Sequence, residues 1–440
     1  MYSYCIIVLL YYIHHMSNFI TFGCWNKGNC NPDPSHALNN SLSKVIAKMG
    51  SYIRTLAKKP AFVCVAGDNY YPDIHTDPPL EGEEKGKKTK TLSIPNLQSG
   101  FECLKQFHNS HRHIPIDIIA GNHDIENTNK MTVIQGSAHV VEEPCIITKA
   151  EIESTIHHRM MNFTMFNYRV IEKTLVIMID SNIYCEKMDT REKIKCYEFF
   201  VNHTLYTLNL QQLHDNSSPI IDVSQLKEIQ KRWLITVVYA SISRIEFANV
   251  VIVAHHPFAL YKIKDGNCRY DTAPDEYLEF CHSIYNHLSD NNNARHFFYS
   301  CADLHTYQSG IVTINIEGKP IIISQEIAGT GGTDLETEVA EMECPSTNKG
   351  GSTLSYSMTL IQHSHGFLHW SVQKSGRLVA QFIPIDSYSS KRKSKHKRIS
   401  GRSSSRGGTK RRMQRTSKRR SNRQRRMRRR RSRSRLNLKS

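Results

Sequence analysis

A chain of 440 residues with 39% hydrophobic and 22% charged side chains holds one large domain or two ordinary ones, and it describes a globular body with something appended. The formal charge of +18 does not belong to that body: Lys391 to Ser440 carries 25 Lys or Arg and no acid, which leaves 33 basic and 40 acidic side chains elsewhere, a net of −7. Twelve cysteines contain no Cys-x-x-Cys pair, so a zinc ribbon and a thioredoxin-type motif are both excluded. The expectation is mostly buried thiols, with a reducing compartment as the milder reading.

Met1 to His15 is apolar and rich in tyrosine, yet it lacks a basic leader and a small-residue cleavage site and is too short to span a bilayer comfortably. Residues 1–16 are read as an extension, a mis-start or a weak signal or anchor, and membrane association is not expected. Asn162-Phe-Thr and Asn202-His-Thr match the glycosylation sequon, a tripeptide that chance supplies often.

Phe19 to Phe22 reads as a first strand, ending in Gly23-Cys24-Trp25-Asn26. Pro34 opens a helix with Leu38, Leu42, Val45, Ile46, Met49, Ile53 and Leu56 at three- and four-residue spacing, closed by Lys58-Lys59-Pro60. A strand at Phe62 to Ala66 follows, so the chain opens β-α-β and predicts parallel pairing. It stops at Gly67-Asp68-Asn69-Tyr70-Tyr71. The polar stretch His75 to Lys90 reads as an exposed insertion.

Ile114 to Ala120 is a strand ending in Gly121-Asn122-His123-Asp124, and Thr174 to Ile179 is one ending in Asp180-Ser181-Asn182. Val223 to Ile242 reads as one amphipathic helix, with Leu226, Ile229, Trp233 and Val237 on a face. It feeds a strand at Val250 to Val253, then Ala254-His255-His256-Pro257. Phe297 to Tyr299 leads into Cys301-Ala302-Asp303-Leu304-His305. From Ile311 to Ile385 strand-like runs alternate with turns, among them Gly329-Thr330-Gly331-Gly332, as in an antiparallel half closing a sheet.

Four strand ends thus offer Asp68, Tyr71, Asn122, His123, His255, Asp303 and His305. Hard oxygen and imidazole donors suit zinc, iron or manganese, and this many suffice for two ions. Any one of these residues alone is an ordinary turn or core residue. Their shared position, just past a β-run, is what points to chemistry.

Gly-Asp-Asn-Tyr-Tyr, Gly-Asn-His-Asp, Ala-His-His-Pro and Ala-Asp-Leu-His-Thr-Tyr-Gln resemble the ordered motifs of calcineurin-like metallophosphoesterases. The nearest branch is the purple acid phosphatase type, with Gly-Asp-Asn-x-Tyr, Gly-Asn-His-Asp, Gly-His-x-Pro and Gly-His-x-His. The resemblance covers roughly residues 17 to 388. It implies an α/β fold, a metallophosphoesterase sandwich of two mixed β-sheets flanked by helices in α/β/β/α layers. It also implies a phosphoester hydrolase using two metal ions of iron, zinc or manganese.

By position, Asp68 is the bridging carboxylate; Asn122, His255 and Asp303 bind one ion, and Tyr71 and His305 the other. His123 faces the phosphate and protonates the leaving group, held by Asp124, while metal-bound hydroxide attacks phosphorus in line. Two positions depart from the family. Cys24 stands where the first motif carries an aspartate ligand, with Asn26 where some relatives have histidine, and Asp303 stands where most members have histidine. The softer thiolate of Cys24 changes metal choice and redox sensitivity.

Residues 389–440 are almost free of apolar side chains and read as a disordered basic tail. Arg411, Arg412, Arg419, Arg420, Arg425, Arg426, Arg428, Arg429, Arg430 and Arg431 are the candidate contacts to nucleic acid or another polyanion, by counterion release and blind to sequence. No aromatics are interleaved, so base stacking is not expected. The tail suggests an intracellular address, nuclear or nucleic-acid-associated, a virion included. The alternative function is a phosphatase-fold protein weakened through Cys24 that binds or packages nucleic acid.

Overall fold

The computed structural model describes residues 17–26, 41–76, 88–111, 114–125, 131–135, 138–140, 145–156, 160–188, 190–214, 219–264, 267–335 and 354–385. The expectations for residues 1–16, for the start of the first helix at Pro34, and for the tail from residue 389 lie outside these. Among the described residues no helix is long and apolar enough to cross a membrane.

Two large mixed sheets carry the fold. The first runs β19(Leu378–Pro384), β18(Gly366–Val372), β1(Asn18–Phe22), β2(Val63–Ala66), β5(Ile116–Ile119), β8(Met161–Phe163). Here β1, β2, β5 and β8 are parallel, and β18 returns antiparallel to β1 and to β19. The second runs β17(Leu354–Gln362), β15(Tyr307–Ile316), β16(Lys319–Ala328), β14(His296–Cys301), β11(Asn249–Val253), β10(Thr174–Met178), β9(Asn167–Ile171). Its centre, β16-β14-β11-β10, is parallel and both edges are antiparallel.

The central strands read as continuous apolar runs because both of their faces are buried. Along β2, Val63 and Val65 join a core that includes helix residues, while Cys64 and Ala66 face a second core. The same alternation divides Leu175 and Ile177 from Val176 and Met178 on β10, and Val250 and Ile252 from Val251 and Val253 on β11. That second core holds residues of both sheets and none from a helix, so it lies between the sheets. Phe19 stacks on Phe62 at 5.1 Å and on Trp370 at 5.6 Å, and Trp370 meets Phe298 of the other sheet edge-on at 5.9 Å. A bond of 2.8 Å between the hydroxyls of Thr21 and Ser300 joins the two sheets.

The first core packs the outer faces against α1(Ser41–Thr55), α2(Ile94–Ser110), α3(Ile146–Ile156), α4(Asn182–Cys185), α5(Arg191–Thr207), α6(Val223–Trp233) and α7(Asp275–Asn292). The α/β/β/α layering expected from the motifs is therefore present. The caps are local: Ser93 accepts from Asn96 N–H, Thr190 from Lys193 N–H, and Asp222 from Gln225 N–H.

Three expectations are refined. The stretch His75 to Lys90 lies outside the described residues from 77 to 87, and its two ends belong to β3(Asp73–Thr76) and β4(Lys88–Ser93), which join β6(Met131–Gln135) and β7(Ala138–Val140) in a further sheet. Its polar, Lys- and Thr-rich strands give no apolar alternation to read. The helix from Val223 to Ile242 is not uniformly α, for Leu234–Tyr239 widens into a π-helical stretch before a last turn at Ala240–Ile242. Finally, the cysteines are not all thiols. Cys145, just before α3, is bridged to Cys196 of α5, and Cys103 and Cys268 are disulfide-bonded as well. Such bridges are rare in a reducing cytosol.

Candidate active site

The parallel strands of both sheets bring their C-terminal ends to one place. Gly23 N–H donates to Ala328 O across the sheets, and His255 Nδ1–H donates to Ala66 O at 2.9 Å. The ends of β1, β2, β5, β11 and β14 thereby converge, bringing Cys24, Asp68, Asn122, His255 and Asp303 together. Cys24, Asp68 and Asp303 all hold positive φ, at 51°, 52° and 53°. Non-glycine residues in that conformation mark strand ends bent to aim a side chain, a strain that clusters at functional sites.

Asp68 is the centre, 1% exposed. Its Oδ1 accepts the His123 backbone N–H at 3.1 Å and lies 3.3 Å from His255 Nε2. His255 Nε2 also meets Asn122 Oδ1 at 3.0 Å and Asp303 Oδ1 at 3.8 Å. Asp68 Oδ2 faces the other way: it accepts the Tyr71 hydroxyl at 2.6 Å, and Cys24 Sγ approaches it at 3.7 Å. The Tyr71 oxygen in turn lies 2.9 Å from His305 Nε2. Small residues make the approach fit. A Cβ on Gly121 would lie 2.2 Å from Asp68 Oδ1, and one on Gly67, at φ +84°, would strike Gly121 N–H and His255 Nδ1.

The electrostatics follow from burial. Burial alone would raise the Asp68 carboxyl, but His255 and His123 outweigh it and hold the group well below the usual carboxylate range. Burial would lower His255, yet Asp68 overcomes it and pushes His255 up to about 10. With Nδ1–H fixed on Ala66 O, Nε2 faces Asp68, Asn122 and Asp303, a surrounding that suits a cation. Among the described residues, Cys24, Asp68 and His255 are the one group of three His, Cys, Asp or Glu side chains whose donor atoms lie within 4.8 Å of one another. The donor set fits one or more divalent ions.

His123 sits half-buried beside Tyr71, with ring centroids 4.7 Å apart. The Asp124 carboxylate accepts Gly121 N–H at 2.7 Å, Asn69 N–H at 2.7 Å and Asn69 Nδ2–H at 2.8 Å, so it fixes the loop that carries His123. Burial, with Asp68 nearby, pushes Asp124 up to about 7. The Asn26 side-chain amide donates to Leu97 O on α2 at 3.1 Å.

Sequence reasoning gave Asn69 no role, although it is the hub between three motifs: its Oδ1 also accepts Trp25 Nε1–H at 2.9 Å and its Nδ2 donates to Ile119 O at 3.0 Å. The signal was its place inside Gly-Asp-Asn. Glu151, buried beside Asp124, was missed as well; burial and then Asp124 raise it well above the usual range. So was the chain by which the Ser181 hydroxyl donates to His256 Nδ1 at 3.0 Å while His256 Nε2 reaches Glu186 at 3.4 Å. The tail arginines lie outside the described residues.

No protein-family model matches the chain, and no curated protein does. Among solved structures it is similar to PhoD, at 11% identity over 84% of this chain and 68% of that one, with a TM-score of 0.41. It is also similar to the purple acid phosphatase PPD1 of yellow lupin (Lupinus luteus), at 12% identity over 84% of this chain, with a TM-score of 0.40. The match spans about half of the lupin chain, 52%.

Proposed function

We propose that the chain hydrolyses phosphoesters at a centre of two metal ions seated on either side of Asp68. One observation carries this reading: the two oxygens of Asp68 face separate donor sets, His255 with Asn122 and Asp303 on one side, Tyr71 with His305 and Cys24 on the other. When bound, two cations of the iron, zinc or manganese type supply a nucleophile from water near neutral pH and balance charge on the phosphoryl oxygens.

The chain's own residues do the rest. His255 keeps Nδ1–H on Ala66 O, which leaves Nε2 as the donor atom. His123 is placed beside Tyr71 at the mouth of the site and gives a proton to the leaving oxygen. Asp124 and Asn69 keep the His123 loop in register with Asp68. The basic tail, residues 389–440, tethers the enzyme to nucleic acid or another polyanion. Of the addresses that the tail suggests, a virion accommodates the Cys145–Cys196 bridge and a nucleus does not.

The test is metal content of the purified full chain by plasma mass spectrometry, alongside turnover of an aryl phosphate. About two ions per chain and turnover are expected, with Asp68→Asn losing both. A metal-free chain after supplemented expression, or full turnover in Asp68→Asn, would sink the reading.

A further inference from the structure

We propose that Cys24 is itself a metal ligand, and that it makes the half of the centre built from Cys24, Asp68, Tyr71 and His305 selective for a thiophilic divalent ion, zinc first. This rests on the two-cation reading above and names what its odd residue does.

A cysteine that only fills core space faces apolar atoms. Cys24 is fully buried but faces a carboxylate oxygen at 3.7 Å, and that same oxygen receives the Tyr71 hydroxyl at 2.6 Å. Its backbone is held in the left-handed region at φ 51°, which costs an L-residue about 1–2 kcal/mol. The conformation is fixed from both sides, by Cys24 N–H donating to Gly67 O at 3.0 Å and Thr333 N–H donating to Cys24 O at 3.2 Å. Packing alone gives no reason to keep that strain, whereas aiming Sγ at Asp68 does. Sγ falls within 4.8 Å of donor atoms of both Asp68 and His255.

The chemistry then sets the metal. A set of one thiol, one carboxylate, one phenol and one imidazole is mixed in hardness, and the thiolate disfavours magnesium and manganese while suiting zinc, which is borderline-soft and has no redox chemistry. A cation held here would take the place of the thiol proton on Sγ. The opposite half, with only Asn122, His255, Asp303 and the shared carboxylate, keeps an oxygen and nitrogen set. The two halves therefore differ in metal preference.

The experiment loads the full chain with zinc and measures zinc stoichiometry and the zinc-edge X-ray absorption. Expected are about two zinc ions per chain, with on average half a sulfur neighbour per zinc at ~2.3 Å. In Cys24→Asp the ions remain, the sulfur shell disappears, and competition between zinc and manganese shifts towards manganese by about tenfold. Two zinc ions with only nitrogen and oxygen neighbours in the wild type would overturn the role of Cys24 and leave the two-cation reading standing. A single zinc with a sulfur neighbour would sustain Cys24 and overturn that reading. A zinc-free chain would overturn both. Should Cys24→Asp fail to fold, cobalt loading of the wild type and Cys24→Ser decides: a thiolate-to-cobalt charge-transfer band belongs to the wild type alone, and its absence there counts against the ligand.

Discussion

Asn69 and Asp124, 55 residues apart, are joined twice: the backbone N–H and the side-chain amide of Asn69 both end on the Asp124 carboxylate, at 2.7 and 2.8 Å. The loop after β2 and the loop after β5 cannot then move separately, and these loops carry Asp68 and His123. Asp124 also accepts Gly121 N–H, so one buried carboxylate organises both turns without touching any reacting atom.

Asn69→Ala removes bonds to Asp124, Ile119 and the Trp25 indole at once and leaves a buried carboxylate and an indole N–H short of partners. The expected loss of stability is on the order of 2–4 kcal/mol, read from the denaturant midpoint. The zinc affinity of the folded variant should fall by about 10–100-fold, since the ligand loops lose their anchor. An unchanged affinity would mean that the loops are held by their glycine turns alone.

The Cys145–Cys196 bridge ties the entry of α3 to the middle of α5 across a sequence separation of 51. Closing a loop of that length stabilises by about 4 kcal/mol in the chain-entropy model. Cys145→Ser with Cys196→Ser should lower the unfolding free energy by about 2–5 kcal/mol, and in the unaltered chain this bridge should be recovered as a disulfide-linked peptide pair in a non-reducing digest. A digest that yields both as free thiols would restore the thiol reading of the cysteines.

The motif strands were legible for a physical reason. β2, β5, β10 and β11 are buried on both faces, so they appear as short, mostly apolar runs (β5 is interrupted by Asp117, which is paired with Arg169), and their ends fall where Asp68, Asn122, Asp180 and His255 begin. What the sequence could not disclose depends on tertiary neighbours. Asn69 and Asn26 are both amides in loop motifs, yet one turns inward to Asp124 and the other outward to Leu97 O. The partner of Cys145 carries no local signature. The ribbon strands β3 and β4 lack an apolar face to betray them, and the direction of each Asp68 oxygen is a matter of one side-chain torsion.

Glu326 supplies a pH prediction away from the metal ligands. Its carboxylate lies between the sheets and accepts the Tyr307 hydroxyl at 2.8 Å and the Ser309 hydroxyl at 3.1 Å, while burial pushes its pKa up to about 7. A carboxyl raised above its unfolded value favours the folded state while both are protonated. That contribution is fully present below about pH 4.5 and is lost as pH rises through about 7. The loss is on the order of 3 kcal/mol. Glu326→Gln should therefore flatten the stability profile between pH 5 and 8, measured by urea unfolding at each pH. Parallel profiles for wild type and variant would show that Glu326 ionises freely in the folded chain.

The last prediction concerns the tail. Lys391 to Ser440 holds 25 cationic side chains and no anionic one, on a body of net −7. Association with a polyanion should come from counterion release through this segment, for the body repels like charge at long range. Deleting residues 391–440 should abolish low-salt binding to double-stranded DNA and to heparin alike, because neither probe is read by base or sugar identity. With the tail present, affinity for either should fall by about 10³ or more between 50 and 200 mM salt, as for six or more neutralised charges. The deletion should leave aryl phosphate turnover unchanged, since every residue of the Asp68 centre lies before it. A truncated chain that still binds DNA in low salt would move the interface onto the acidic body, and equal binding at both salt concentrations would rule out an electrostatic tether.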